Sequence, residues 1–281
     1  MGSQNLIRVR PIANAGLLIS CADGCESERE SKRGSFLVDA LYEFVPSEVL
    51  KDTPDRKLPR IAFAPKETTA AMLSGAPPFD DVKAYLFTHL HPDHGNLNVI
   101  ERIVDKSIPV VLPATSRYKD RIASFACRKI ELREPVEKHV FGDMILTAIQ
   151  TVHDGGSYYQ IESYAYFLEF PAATVFIAGD TRTGDSGLRE AVLNFKKANP
   201  EMEKQIDAAF LNYPEVSRSH GREFIIKILK PKRLFLTHFP PAIPGEKRNV
   251  GSLERILLRY ADTLPPVTFC DGTKPVFEIS E

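Results

Sequence analysis

The sequence predicts a single α+β domain spanning residues 1–281, and three observations predict it. Apolar β-type runs crowd the first third of the chain, strand and helix patterns alternate in both halves, and no Gly/Ser linker divides it.

Taken in order, Leu6 to Ile12 alternates apolar and polar residues as a half-buried strand does. Gly16–Ser20 and Ser35–Asp39 are apolar runs flanking the charged stretch Cys21–Arg33, the pattern of a hairpin. Residues 44–81 are Pro-rich with one short helix expected around Glu67–Leu73; they read as an insertion, either a lid over a site or surface decoration. Val82–Thr88 is a buried-type strand. Leu97, Ile100, Ile103 and Val104 give helical spacing over Leu97–Lys106, and Ser116–Cys127 reads as a second helix, with a strand at Ile108–Leu112 between them. From Arg128 to Phe170 the pattern returns to β, with strands near Met144–Ile149 and Tyr164–Phe170. Thr174–Ala178, Ala208–Tyr213 and Arg233–Thr237 are further strands, and Leu188–Ala198, Glu223–Leu229 and Ser252–Ala261 further helices.

Bulk properties narrow the function. Lys plus Arg is 36 against 37 for Asp plus Glu, so no global field recruits nucleic acid. No apolar run reaches the length of a membrane span. The first residues lack a charged start followed by an apolar stretch, and the four Cys offer no complete structural zinc set. A cytoplasmic protein with reduced thiols is the expectation.

The densest chemistry is His89-Leu90-His91-Pro92-Asp93-His94, directly after the Val82–Thr88 strand. Imidazole and carboxylate together suit zinc, iron and manganese. Four ligand-type side chains in six positions exceed what one ion takes from one short segment, which suggests two ions completed from elsewhere. Three further candidates each follow an apolar strand: His153, Asp180 and His238. The end of a strand holds a ligand rigidly, and the two oxygens of a carboxylate such as Asp180 can each face one ion.

In this order, together with Asp39 ending a strand after Asn14-Ala15-Gly16-Leu17-Leu18-Ile19, Thr88 before the first His, and Gly179-Asp180-Thr181, the residues resemble the metallo-β-lactamase superfamily over roughly residues 7–240. The resemblance implies a four-layer αβ/βα sandwich of two mixed sheets flanked by helices. It implies that His89, His91 and His153 hold a first metal and Asp93, His94 and His238 a second, with Asp180 bridging. Asp39 would fix the tautomer of a ligand imidazole. It implies two divalent ions, zinc first, with manganese or iron as alternatives. An oxygen-reducing di-iron relative would carry Glu where His91 stands, which turns the expectation away from that branch.

Two cations about 3.5–4 Å apart can share a water and lower its pKa, making hydroxide the nucleophile. Asp93, with His94, would then orient the nucleophile as well as bind metal. The expected substrate is a small molecule with an ester, lactone, thioester or similar bond. A phosphodiesterase or nuclease is the alternative enzyme, and a metal-containing sensor the alternative outside enzymes. His220, with Arg222 in the polar loop Ser217–Arg222, and Tyr213 are candidate substrate contacts; Tyr158, Tyr159, Asn212 and Lys247-Arg248 are weaker ones, each equally readable as a packed or solvated side chain. Ser157 and the Cys residues have no base beside them, and the sequence leaves oligomeric state open.

Overall fold

The computed structural model describes residues 6–22, 34–43, 64–155, 161–171, 173–199, 206–239, 251–270 and 276–280. Among these, two seven-stranded sheets face each other. The first comprises β1 (Leu6–Ile12), β2 (Gly16–Ala22), β3 (Ser35–Val38), β4 (Val82–Leu86), β5 (Val110–Pro113), β6 (Lys129–Leu132) and β14 (Phe277–Ser280), in the order β14-β1-β2-β3-β4-β5-β6. The second comprises β7 (Val136–Phe141), β8 (Met144–Val152), β9 (Glu162–Glu169), β10 (Thr174–Ile177), β11 (Ile206–Asn212), β12 (Pro231–Thr237) and β13 (Val267–Phe269), ordered β13-β12-β11-β10-β9-β8-β7. Each sheet follows the same plan: three antiparallel pairings, then three parallel ones.

Side-chain alternation along the strands explains the layers. In β9, Tyr164, Tyr166 and Leu168 enter the core between the sheets, while Ala165 and Phe167 face the helices. The inter-sheet core joins Ile7, Val9, Ile19 and Phe36 of one sheet to Leu146, Val175, Phe210 and Phe235 of the other. The outer face of the first sheet is covered by α1 (Lys66–Ser74), α2 (Leu97–Ile100) and α3 (Lys119–Ser124), through Met72, Leu97, Ile100 and Ile122. The outer face of the second is covered by α4 (Ser186–Ala198), α5 (Pro214–Ser217), α6 (Ser219–Glu223) and α7 (Gly251–Arg259). The result is the four-layer αβ/βα sandwich. Helix α4 shows why it docks: Leu188, Val192 and Phe195 form one apolar stripe, and the Asp185 carboxylate caps its start by accepting from the Leu188 N–H at 2.8 Å. No described helix is long and apolar enough to cross a membrane.

Several elements depart from expectation. The helix expected over Leu97–Lys106 stops at Ile100. Further on, the Asp105 carboxylate accepts from the Ser107 N–H and hydroxyl at 2.9 and 2.6 Å, a local bond that competes with helix, and Val104 stays exposed. The Ser116–Cys127 helix shrinks to Lys119–Ser124, because Phe125 turns extended and the Lys129 ammonium caps the carbonyls of Ile122, Ala123 and Phe125 at 2.8–3.1 Å. The segment after Glu223 winds as a π-helix over Phe224–Leu229, with buried Lys196 donating to the carbonyls of Ile228 and Leu229. Cys21, expected at the start of the charged stretch, belongs instead to strand β2 and is buried. Of the 44–81 insertion, residues 64–81 are described, and α1 packs on the outer sheet face.

Candidate metal centre

The site lies where strands of both sheets end. Asp39 follows β3, Thr88 to His94 follow β4, His153 follows β8, Asp180 follows β10, Asn212 closes β11 and His238 follows β12. Three of these turns need left-handed backbone: Asp39 at φ 47°, Gly179 at φ 55° and His238 at φ 64°. Gly179 also meets a steric limit, since a Cβ there would lie 2.5 Å from the Thr88 Oγ1.

The predicted side chains converge in two sets. Donor atoms of His89, His91, His153 and Asp180 lie within 4.8 Å of one another, as do those of Asp93, His94 and His238. In the first set His89 Nε2 faces His91 Nδ1 at 3.0 Å, and in the second His94 Nε2 faces His238 Nε2 at 2.8 Å. Asp180 stands between the sets. Its Oδ2 is 3.5 Å from His153 Nε2 and 3.9 Å from His89 Nε2, while its Oδ1 is 3.0 Å from His238 Nε2 and 3.2 Å from His94 Nε2. The two oxygens of one carboxylate thus address one set each.

A surrounding layer fixes the rings. Asp39 accepts from the Thr88 N–H at 2.8 Å, from the Thr88 hydroxyl at 2.6 Å and from His94 Nδ1 at 2.9 Å. The Thr88 oxygen in turn sits 3.1 Å from His89 Nδ1. His153 Nδ1 donates to the Asp154 carbonyl at 2.6 Å. Each of these bonds occupies Nδ1, so the Nε2 lone pairs of His89, His94 and His153 point inward, as metal ligation requires. Asn212 donates to Asp180 Oδ1 at 2.7 Å.

Electrostatics follow the same division. Burial, then the neighbouring charge of His94, holds the His89 pKa well below that of an ordinary imidazole. Burial and the nearby His153 push His91 down to about 4. Both rings are therefore neutral, the form that ligates. Burial opposes charge on His94, but the carboxylates of Asp180 and Asp39 override it and raise its pKa. Burial likewise opposes charge on Asp180, and His238 and His94 override it, holding the carboxylate ionised. Clustered imidazoles around one ionised carboxylate form a nitrogen-rich donor set suited to divalent cations.

The other candidates have neighbours of their own. His220 and Arg222 lie on helix α6 rather than in a loop. The His220 ring packs over Gly184, and Arg222 is engaged, stacking on Tyr260 at 4.4 Å and donating to the Val216 carbonyl at 2.9 Å. Tyr213 stacks on Phe239 at 5.1 Å. Ser157, Tyr158, Tyr159, Lys247 and Arg248 lie outside the described residues. Two features gave no sequence signal. Asn14, from the β1–β2 turn, donates to Asp93 Oδ2 at 3.1 Å. Arg218 pairs with Asp154, next to His153, and with buried Glu215 at 2.6 Å, and Glu215 also accepts from Thr183.

No protein-family model matches the chain, and no curated protein matches it. Solved structures do. YhfI from Bacillus subtilis, a metallo-beta-lactamase fold protein, superposes with a TM-score of 0.56 at 15% identity, covering 99% of this chain and 100% of its own. An isothiocyanate hydrolase from Delia radicum gut bacteria gives 0.60 at 15%, covering 98% and 100%. CmlA, a diiron beta-hydroxylase from Streptomyces venezuelae, gives 0.57 at 12%, covering all of this chain and 55% of its own. This chain has the metallo-β-lactamase fold.

Proposed function

We propose that the chain is a dinuclear metal-dependent hydrolase acting on a small molecule. The observation that carries this reading is Asp180, whose two oxygens each face a separate set of imidazoles. His89, His91 and His153 would hold one cation, Asp93, His94 and His238 the other, with Asp180 shared. Zinc fits the nitrogen-rich set best, with manganese and iron as alternatives. Bound there, the cation pair supplies Lewis acidity and a water of lowered pKa.

The chain's own groups do the rest. Asp39, Thr88 and the Asp154 carbonyl hold ring protons on Nδ1 and so present Nε2. Asn212 orients Asp180. Asp93 is partly exposed while His94 is fully buried, so Asp93 is the carboxylate placed to orient an attacking water and take its proton at a carboxylate oxygen. Cleavage of an ester, lactone or thioester fits this arrangement without a covalent intermediate.

His91 is an imidazole where the resemblance leads one to expect Glu in an oxygen-reducing di-iron relative, which supports hydrolysis over that one branch of oxygen chemistry. Metal analysis of the purified protein, followed by assays on generic esters, lactones, thioesters and phosphodiesters, tests the reading. Two equivalents of metal with ester or lactone turnover abolished by chelation would support it. Stoichiometric metal with no turnover would favour a sensor, and turnover confined to phosphodiesters would favour the phosphodiesterase.

A further inference from the structure

Resting on that reading of the centre, we infer that Asn14 is a positioning residue for one of the two cations alone, because its amide nitrogen touches both Asp93 and His238. The distances are 3.1 Å to Asp93 Oδ2 and 3.0 Å to His238 Nδ1. These are two of the three side chains of the second set, and Asn14 contacts none of the first.

The second set needs such a brace. His94 is already anchored, fully buried against Asp39. Asp93 and His238 are both partly exposed and come from turns of opposite sheets, so nothing within either turn sets their separation. Asn14 spans them from a third turn. It is 5% exposed, and its backbone is fixed at both ends: its N–H donates to the buried Tyr42 hydroxyl at 2.6 Å, and its carbonyl accepts from the His238 N–H at 3.1 Å. A side chain this constrained loses little entropy in holding its neighbours. The amide nitrogen carries two hydrogens, so it can donate to Asp93 Oδ2 while lying against the His238 ring on the edge away from Nε2.

The test is titration of metal-free protein with cobalt(II) alone, read by calorimetry and by the visible spectrum of the bound ion. Wild type is expected to take two equivalents. In Asn14→Ala one equivalent is expected to bind within about threefold of wild type and the other to weaken about 10–100-fold, the range for loss of a group that orients a ligand. The backbone bonds of residue 14 survive this change; should the Ala variant fail to fold, Asn14→Ser serves. The decisive comparison is a double-mutant cycle. In a His238→Ala background, where binding of the second cation is expected to be abolished, Asn14→Ala should change nothing further. Equal weakening of both equivalents, unaltered affinity for both, or a full additional loss in the His238→Ala background overturns the inference while leaving the two-cation reading intact. Wild type that takes up no cobalt overturns both.

Discussion

Asp39 and His94 are joined at 2.9 Å, carboxylate to Nδ1, inside a fully buried environment. The bond leaves His94 Nε2 to face Asp180 and His238. Asp39→Asn is the informative change, because Asn tolerates the positive φ of 47° that Ala would resist. It replaces an acceptor with an amide that can donate to Nδ1 and reverse the ring's tautomer. Cation affinity is expected to fall about 10–100-fold, with turnover falling in step. Isothermal titration of the metal-free variant checks it, and unchanged affinity would remove Asp39 from the centre's support.

Gly179→Ala should be costly at a position that bears no functional group. The new Cβ would meet Thr88 Oγ1 at 2.5 Å with φ at 55°. Strain of this kind costs about 1–3 kcal/mol. Because Thr88 braces both His89 and Asp39, cation affinity should drop alongside stability. Thermal melts with and without added metal separate the two effects.

Acid should destabilise the chelator-treated protein through His91. Its pKa is pushed down to about 4 in the folded chain, while the unfolded imidazole titrates near 6.5. Between those values the unfolded state binds more protons, so stability is present above about 6.5 and is lost as pH falls through the window. His94 runs the other way: its raised pKa gives a contribution present below 6.5 and lost on alkalinisation. Melting temperatures from pH 7 to 4.5 should therefore fall less steeply for His91→Gln, and those above pH 6.5 should fall less steeply with rising pH for His94→Gln. Parallel curves for all three proteins would contradict the assignment.

Arg218→Ala should unfold the region beside His153. It strips the counterion from Glu215, which is 2% exposed, and from Asp154. Breaking a buried pair costs about 3–5 kcal/mol, and the partial exposure of Arg218 lowers the expectation to about 2. Adding Glu215→Gln should recover part of that loss, since the orphaned charge is its source. Urea melts of the single and double variants measure it.

Much of the centre was legible because its residues sit directly after apolar runs. His153, Asp180 and His238 each end a strand whose pattern is plain, and the His89–His94 cluster is dense enough to read alone. Asn14 was not legible, since its partners Asp93 and His238 lie 79 and 224 positions away and no local pattern encodes them. The helix carrying His220 was misread because Ser217-Arg218-Ser219-His220-Gly221 has loop composition. Gly221 is there for packing: a Cβ would lie 2.1 Å from the Glu215 carbonyl oxygen. Strands β13 and β14 escaped notice because they are three and four residues long and stabilised by distant partners.

The pairing of β14 with β1 sets a constraint on synthesis. Among the described residues, Leu6 to Val9 find their outer partners in Phe277 to Ser280. During translation, until residues 277–280 leave the ribosome, β1 is an open edge able to recruit strands from other nascent chains. Its own composition limits that hazard: Arg8 and Arg10 project charge from its exposed face, and Pro11 withholds a backbone donor.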